Sequence, residues 1–362
     1  MRAVVVEELT GPEAATLAEV PEPVGAHPRA DGQRLLVDVH AAGLSFIDPL
    51  QTWGKYQNGV PTPYVCGSEF AGVVVEAPSG TGFRSGDRVG GIVWHGALAD
   101  RALALPDYTV KIPATMSFVE GAALYMNYST AWYALHRAQV QPGEYVLVHG
   151  AAGGVGTAAL DLAATFGAKA IAVVSNDEKA AVARRCGAHA VVRSDGPWLD
   201  DVRDLTDGRG VHVVIDPVGG DRFTDSLRSL RQGGRLVVVG FTGGSIPTVK
   251  VNRLLHRNLT VTGITMDNME TEYPGTLRMV RDAVEGLAAE GAIRPFVGAT
   301  FPLEQAATAL RALDDRAATG KVVVEVVPRN VTAVVPRNVT AVVPPNVTAV
   351  VPRNVTEVVS SA

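Results

Sequence analysis

The stretch Val148-His149-Gly150-Ala151-Ala152-Gly153-Gly154-Val155-Gly156 decides the fold. It follows the apolar run Tyr145 to His149 and opens a helical pattern over Val155 to Phe166, so it reads as a glycine-rich turn between a buried strand and a helix. Gly153, without a side chain, lets a pyrophosphate approach the backbone, and Gly156 lets helix and strand pack closely. Free N–H groups and the positive end of the helix dipole face the anion. Ala151 stands where the usual dinucleotide fingerprint has its first glycine. The remaining cradle is Ala152, Gly153, Gly154, Val155 and Gly156.

Working outward, strands are expected at Tyr145 to His149, Ala170 to Val174, Ala190 to Arg193, Val211 to Ile215, Arg235 to Phe241 and Leu259 to Ile264. Helices fill the gaps at Val155 to Phe166, Asp177 to Cys186 and Phe223 to Arg231, the last ending at Gly233 as a left-handed cap. Strand, turn and helix repeated in this way predict an α/β, doubly wound parallel sheet of the Rossmann type over residues 125–294. Upstream, short alternating runs such as Leu35 to His40 and Phe70 to Val75, broken by turns like Ser85-Gly86-Asp87, predict a partly open β-barrel. A helix near Tyr273 to Glu290, a return through Pro295, a helix ending near Asp315 and a strand Lys321 to Val327 follow. Residues 1–124 and 295–327 are therefore expected to form one domain around the barrel.

From Val326 the octet Val-Val-Pro-Arg-Asn-Val-Thr-Ala recurs four times with small changes. Its period is too short for a solenoid, and proline in every copy interrupts any long strand, so 328–362 is expected to be a disordered repeat tail.

The 362 residues are 47% hydrophobic and 19% charged with a formal charge of −5, a profile that excludes wholesale disorder and offers no basic field for nucleic acid. Two cysteines, Cys66 and Cys186, cannot build a disulfide framework or a four-thiolate zinc lobe. The eight histidines are scattered, without a His-x-x-x-His pair. Glu7 and Glu8 break any early signal-peptide core and no apolar run approaches a membrane span, so a cytoplasmic protein without membrane contact is expected.

The end of the second parallel strand separates the two nicotinamide cofactors, because an acid there binds the ribose 2′-hydroxyl and repels a 2′-phosphate. Here it reads Val173-Val174-Ser175-Asn176. Ser175 and Asn176 offer hydrogen bonds, and Lys179 and Arg193 are candidate counter-charges, which favours NADPH. Asp177 and Glu178 fit the first turn of a helix.

Ala41-Ala42-Gly43-Leu44-Ser45-Phe46-Ile47-Asp48, Gly54-Lys55-Tyr56, Cys66-Gly67-Ser68-Glu69-Phe70-Ala71-Gly72, Gly86-Asp87-Arg88-Val89 and Asp216-Pro217-Val218-Gly219-Gly220 join the glycine turn in one pattern. Over residues 1–327 it resembles the zinc-independent quinone oxidoreductases of the medium-chain dehydrogenase/reductase superfamily, the group of zeta-crystallin-like proteins. The resemblance implies a GroES-like barrel domain beside the Rossmann domain, and a homodimer through an edge such as Leu259 to Thr262. The family's usual Asn is Ser45 here. Zinc-dependent relatives carry Cys and Gly-His-Glu where this chain has Leu44-Ser45 and Gly67-Ser68-Glu69, so no zinc is expected.

By the same resemblance, Phe46 and Asp48 pass near the nicotinamide, Tyr56 lines the substrate cleft as a candidate proton donor, and Asn127 and Thr130 reach the nicotinamide side. Ser45, Tyr56 and Thr130 form the expected catalytic set. Gly240, Phe241 and Thr242 end a strand at the carboxyl edge of the sheet, where such folds bind ligands, with Ile264 beside them. Lys321 resembles a late Gly-Lys element but reads equally as a solvated lysine, and stays outside that set. The expected activity is NADPH-dependent, metal-free hydride transfer to a quinone. The alternatives are an enoyl or 2-alkenal reductase on the same scaffold and, more remotely, a non-catalytic NADPH-responsive or RNA-binding protein.

Overall fold

Leu147, Ile171, Val173, Val214 and Leu236 point to one face of a parallel sheet, while their neighbours Val146, Val148, Ala170, Ala172, Val213, Ile215 and Val237 point to the other. Such uninterrupted apolar strands are what a sheet covered on both faces requires, since successive side chains alternate. The computed structural model describes residues 1–23, 33–57, 59–266, 270 and 273–327. The octet-repeat tail expected at 328–362 lies outside the described residues.

The strands of the chain's first part are β1 (Arg2–Val6), β2 (Ala15–Glu19), β3 (Leu35–Leu44), β4 (Tyr64–Val65), β5 (Glu69–Glu76), β6 (Arg88–Ile92), β7 (Arg101–Ala104) and β8 (Thr109–Lys111). The parallel sheet is built from β9 (Tyr145–Val148), β10 (Lys169–Val174), β11 (Ala190–Arg193), β12 (Val211–Asp216), β13 (Leu230–Val238) and β14 (Thr260–Gly263). The last strands are β15 (Val297–Pro302) and β16 (Lys321–Glu325).

The parallel strands lie in the order β11-β10-β9-β12-β13-β14, the arrangement of a Rossmann sheet with its crevice where the order reverses at β9. Helices α1 (Ile47–Thr52), α2 (Phe118–Gly121), α3 (Tyr125–Arg137), α4 (Gly154–Thr165) and α5 (Asp177–Arg185) precede α6 (Trp198–Asp204) and α7 (Phe223–Ser229). Leu160, Leu162 and Ala163 of α4 cover one face of the sheet; Trp198, Val202 and Leu227 of α6 and α7 cover the other. Full burial of one such leucine contributes about 1.5–3 kcal/mol.

The second large sheet runs β15-β16-β3-β5-β6-β8, with β7 also on β3, and a small sheet runs β2-β1-β4. The chain's return thus inserts β16 antiparallel to β3, pairing Val322 with Leu44 and Val323 with Gly43.

One helix end differs from expectation. The helix expected to reach Arg231 stops at Ser229, because Leu230 turns extended and pairs with Val211 as the start of β13. Gly233, at φ +72°, sits at an irregularity of that strand between the Leu230 and Arg235 pairings and does not cap a helix. The long-range parallel pairing overrides the local C-cap signal.

Gly43 is required by close approach. A Cβ there would lie 1.9 Å from the Ala122 carbonyl oxygen and 2.7 Å from Lys321 Cε. Gly43→Ala is expected to lower stability by about 2–3 kcal/mol in urea denaturation; an unchanged midpoint would contradict the packing described.

Candidate active site

The phosphate turn is formed as the sequence requires, with one shift of role. Gly150, at φ +58°, makes the tight bend that the alanine at 151 could not make cheaply. A Cβ on Gly156 would fall 2.2 Å from the Gly150 carbonyl oxygen, and one on Gly154 would fall 2.6 Å from the Asn127 amide nitrogen. Gly153 is the N-cap of α4, and no side chain caps that first turn. This uncapped start of a 12-residue helix, with Ala152 buried behind it and Val155 half-buried, fits the pyrophosphate of a dinucleotide.

Gly320 donates its N–H to the Ala152 carbonyl at 2.7 Å, and Gly153 and Gly320 form a parallel bridge. The residue after Gly320 is therefore delivered beside the phosphate turn. That residue, Lys321, is only 2% exposed, which overturns its reading as a solvated lysine. Its ammonium donates to Glu69 Oε2 at 2.5 Å and to Ser45 Oγ at 2.6 Å. Glu69 is itself 0% exposed and accepts the Met126 N–H at the start of α3 at 2.8 Å. Burial pushes the Glu69 carboxyl upward, opposed by the Lys321 ammonium and the backbone N–H groups. A charge in this position persists only with its partner. The Gly-Lys pair at 320–321 and the Gly-Ser-Glu triplet at 67–69 were the available sequence signals.

Asp48, on α1, lies beneath Ser45. Its Oδ2 accepts the Ser45 N–H at 2.6 Å and the Ser68 hydroxyl at 2.8 Å, while Oδ1 is buried without a partner among the described residues. Burial raises its carboxyl to about 6. Ser68, at the position of the zinc enzymes' histidine, is thus held by an aspartate. Cys66 is buried nearby, and burial and the Asp48 charge push its thiol up.

The other expected residues divide by location. Asn127 packs against the phosphate turn. Thr130 donates its hydroxyl to the Met126 carbonyl at 2.8 Å within α3, an ordinary helix back-bond. Phe46 is half-buried at the start of α1, and Tyr56 is half-buried just beyond the end of that helix. Ser175 is exposed at the end of β10, and Asn176 Oδ1 caps α5 by accepting the Lys179 N–H at 2.8 Å. Parallel register sets Arg193 beside Val174, where its guanidinium donates to the Ser175 carbonyl and pairs with Asp177 at 2.5 Å and Asp195 at 2.9 Å. Gly240, Phe241 and Thr242 follow the end of β13; Phe241 is 40% exposed and Thr242 donates to the Pro217 carbonyl. Ile264 is half-buried next to β14 and donates its N–H to the Val238 carbonyl. His149 is buried within the sheet's cover, 2.8 Å from Ser226 Oγ, and burial depresses it to about 4.

Among the described residues, no group of three or more His, Cys, Asp or Glu side chains is placed to hold a metal ion, and no helix is long and apolar enough to cross a membrane. A Rossmann sheet with an uncapped glycine turn, set against a mainly antiparallel sheet that supplies a buried polar cluster, defines a two-part dehydrogenase scaffold. Two family models match: an alcohol dehydrogenase GroES-like domain over residues 31–114 and a zinc-binding dehydrogenase domain over residues 154–282. The chain is 39% identical to the rat protein named quinone oxidoreductase-like protein 2 over 330 residues, covering 90% of this chain and 92% of that one. A probable oxidoreductase from Mycobacterium abscessus superposes with a TM-score of 0.80 at 38% identity, covering 90% of this chain and 98% of its own. A mycobacterial protein solved with NADPH gives 0.80 at 31% identity, covering 90% and 99%. The chain belongs to the quinone oxidoreductase family of the medium-chain dehydrogenase/reductase superfamily.

The Asp48 environment has a direct consequence for stability. The folded chain holds this proton up to about pH 6, whereas an unfolded aspartate releases it near 3.8. Between those values the folded state binds more protons, so stability falls as the pH rises through the window. Asp48→Asn, which has no proton to lose, is expected to gain stability relative to wild type from about pH 4 to 6 and then hold a constant difference. Thermal melts of both proteins across that range check this; a difference that does not vary with pH contradicts it.

Proposed function

We propose that this chain is an NADPH-dependent reductase that passes hydride, without a metal ion, to quinones or related α,β-unsaturated carbonyls. The observation that carries the reading is the Ser45–Lys321–Glu69 cluster. Glu69 is already neutralised by the Lys321 ammonium and Ser68 is engaged by Asp48, so the oxygen donors that remain suit an oxygen-bearing electrophile better than zinc. The names of the relatives support it: one is a quinone oxidoreductase-like protein, and another was solved with NADPH.

When bound, the reduced nicotinamide supplies the hydride; an electrophilic quinone or enone then needs mainly positioning. The α4 N-terminus, with Gly153 and Gly154, holds the pyrophosphate. Ser175 and Arg193 hold a 2′-phosphate, since no carboxylate ends β10 and Asp177 is tied to Arg193. Phe46, Asn127, Phe241 and Ile264 would flank the nicotinamide. A homodimer through β14, an edge of the parallel sheet, belongs to the same proposal. An enoyl or 2-alkenal reductase differs in its need for Tyr56 as proton donor to the α-carbon.

Initial rates with NADPH and NADH, in EDTA, against one para-quinone and one linear enone test this. The expected result is EDTA-insensitive turnover with NADPH favoured by about tenfold or more, and a preference largely lost in Arg193→Ala. A loss in Tyr56→Phe confined to the enone assigns the double-bond reductase. Failure to oxidise NADPH with either acceptor contradicts the proposal.

A further inference from the structure

We infer that the Ser45 hydroxyl is the hydrogen-bond donor to the acceptor's carbonyl oxygen, and that Lys321 is the positioning residue that fixes this hydroxyl in the donor role. The inference rests on the hydride-transfer reading above and names the kind of acceptor it requires, one whose electrons end on an oxygen.

A serine hydroxyl has one hydrogen to donate and lone pairs to accept. The Lys321 ammonium can only donate, and it donates to Ser45 Oγ at 2.6 Å. One lone pair is therefore occupied, and the hydroxyl hydrogen is turned away from the ammonium. Among the described residues, Ser45 Oγ has no other partner, so this hydrogen has no acceptor there. The backbone of Ser45 is pinned from below by its N–H bond to Asp48 Oδ2 at 2.6 Å. Ser45 is half-buried, while Lys321, Glu69 and Asp48 are buried. The hydroxyl is thus the half-buried end of a cluster whose charged members are themselves out of water.

This order of groups suits a charge that appears only during reaction. Glu69 keeps the ammonium neutralised beforehand, so the pair itself buries no net charge in the resting site. Hydride addition would break the C4–H bond of the reduced nicotinamide, leaving it oxidised by two electrons, and form a C–H bond on the acceptor, whose conjugated π pair would shift on to its carbonyl oxygen; water would supply the last proton. The developing oxyanion meets a hydroxyl already polarised by an ammonium, a charge-assisted donor that needs no reorganisation. Lys321 does not touch the acceptor.

The full chain is tested with three measurements on wild type, Ser45→Ala, Ser45→Asn and Lys321→Met. These are the Kd for NADPH by fluorescence, the single-turnover rate of hydride transfer to a para-quinone, and the affinity of the NADP⁺ complex for para-nitrophenolate as an oxyanion mimic. Ser45→Ala is expected to slow hydride transfer on the order of 100-fold and to weaken phenolate binding about tenfold, with NADPH affinity retained. Ser45→Asn, whose amide oxygen accepts from Lys321 while its amide hydrogens point outward, restores most of both. Lys321→Met lowers them in the Ser45 protein but adds little in the Ser45→Ala background. Should Lys321→Met fail to fold, Ser45→Ala decides. A Ser45→Ala protein that keeps wild-type transfer and phenolate affinity overturns the inference and leaves the reductase reading standing. A wild type that binds NADPH yet reduces neither quinone nor enone overturns that reading and the inference with it.

Discussion

The buried pair of Lys321 and Glu69 is the interaction on which the rest of the structure depends. Lys321 begins the last described strand, Glu69 begins β5, and the two stand on either side of β3, from whose end Ser45 projects. Through the Met126 N–H, Glu69 also fixes the start of α3, and through Gly320 the lysine's backbone is tied to the phosphate turn at Ala152. Two ions held out of water cost more than they return unless their remaining bonding positions are filled. Here Ser45 takes a second hydrogen bond from the ammonium and the backbone of α3 gives one to the carboxylate, so sheet, helix and turn must all be in place before the pair is stable. Gly43 belongs to the same constraint, because its missing side chain makes room for the lysine stem.

That constraint sets how the site divides its work. The uncapped start of α4 offers only backbone groups and a dipole, which suits an anion that must bind and leave. The cluster behind Ser45 offers fixed charges of opposite sign, with the half-buried Ser45 at its front. Asp48 lies beside the pair, holding Ser45 and Ser68 with one oxygen and carrying a proton affinity raised by its burial. The proposed preference for a phosphorylated cofactor turns on a separate place, the end of β10, where Arg193 arrives from the neighbouring strand.

The parallel sheet was legible because its evidence is local: runs of apolar residues, glycine turns and helical periodicity identify β9 to β12, β14 and α4 within a residue or two, whereas β13 begins at Leu230 and ends at Val238 instead of running from Arg235 to Phe241. The phosphate turn was legible for the same reason, although the bend falls to Gly150 and not to the position of Ala151. Where non-local pairing competes with local signals, the sequence misleads, as at Leu230, which leaves the helix to pair with Val211. The Lys321–Glu69 contact joins residues 252 positions apart, and nothing in the neighbourhood of either announces the other. The burial of Asp48 is illegible for a like reason, since a short Ile-Asp-Pro-Leu-Gln-Thr helix gives no sign that its acid faces inward. Arg193 was identified by its charge, but its engagement with Asp177 and Asp195 follows from strand register.

The central claim is that Lys321 and Glu69 act as one unit in holding the barrel-side sheet to the phosphate turn. A double-mutant cycle of Lys321→Met and Glu69→Gln, followed by urea denaturation at neutral pH, tests it most directly. Each single change is expected to cost about 3–5 kcal/mol, because it leaves its partner buried and uncompensated, and the double change is expected to cost well under the sum. Single losses below about 1 kcal/mol that simply add would contradict the account.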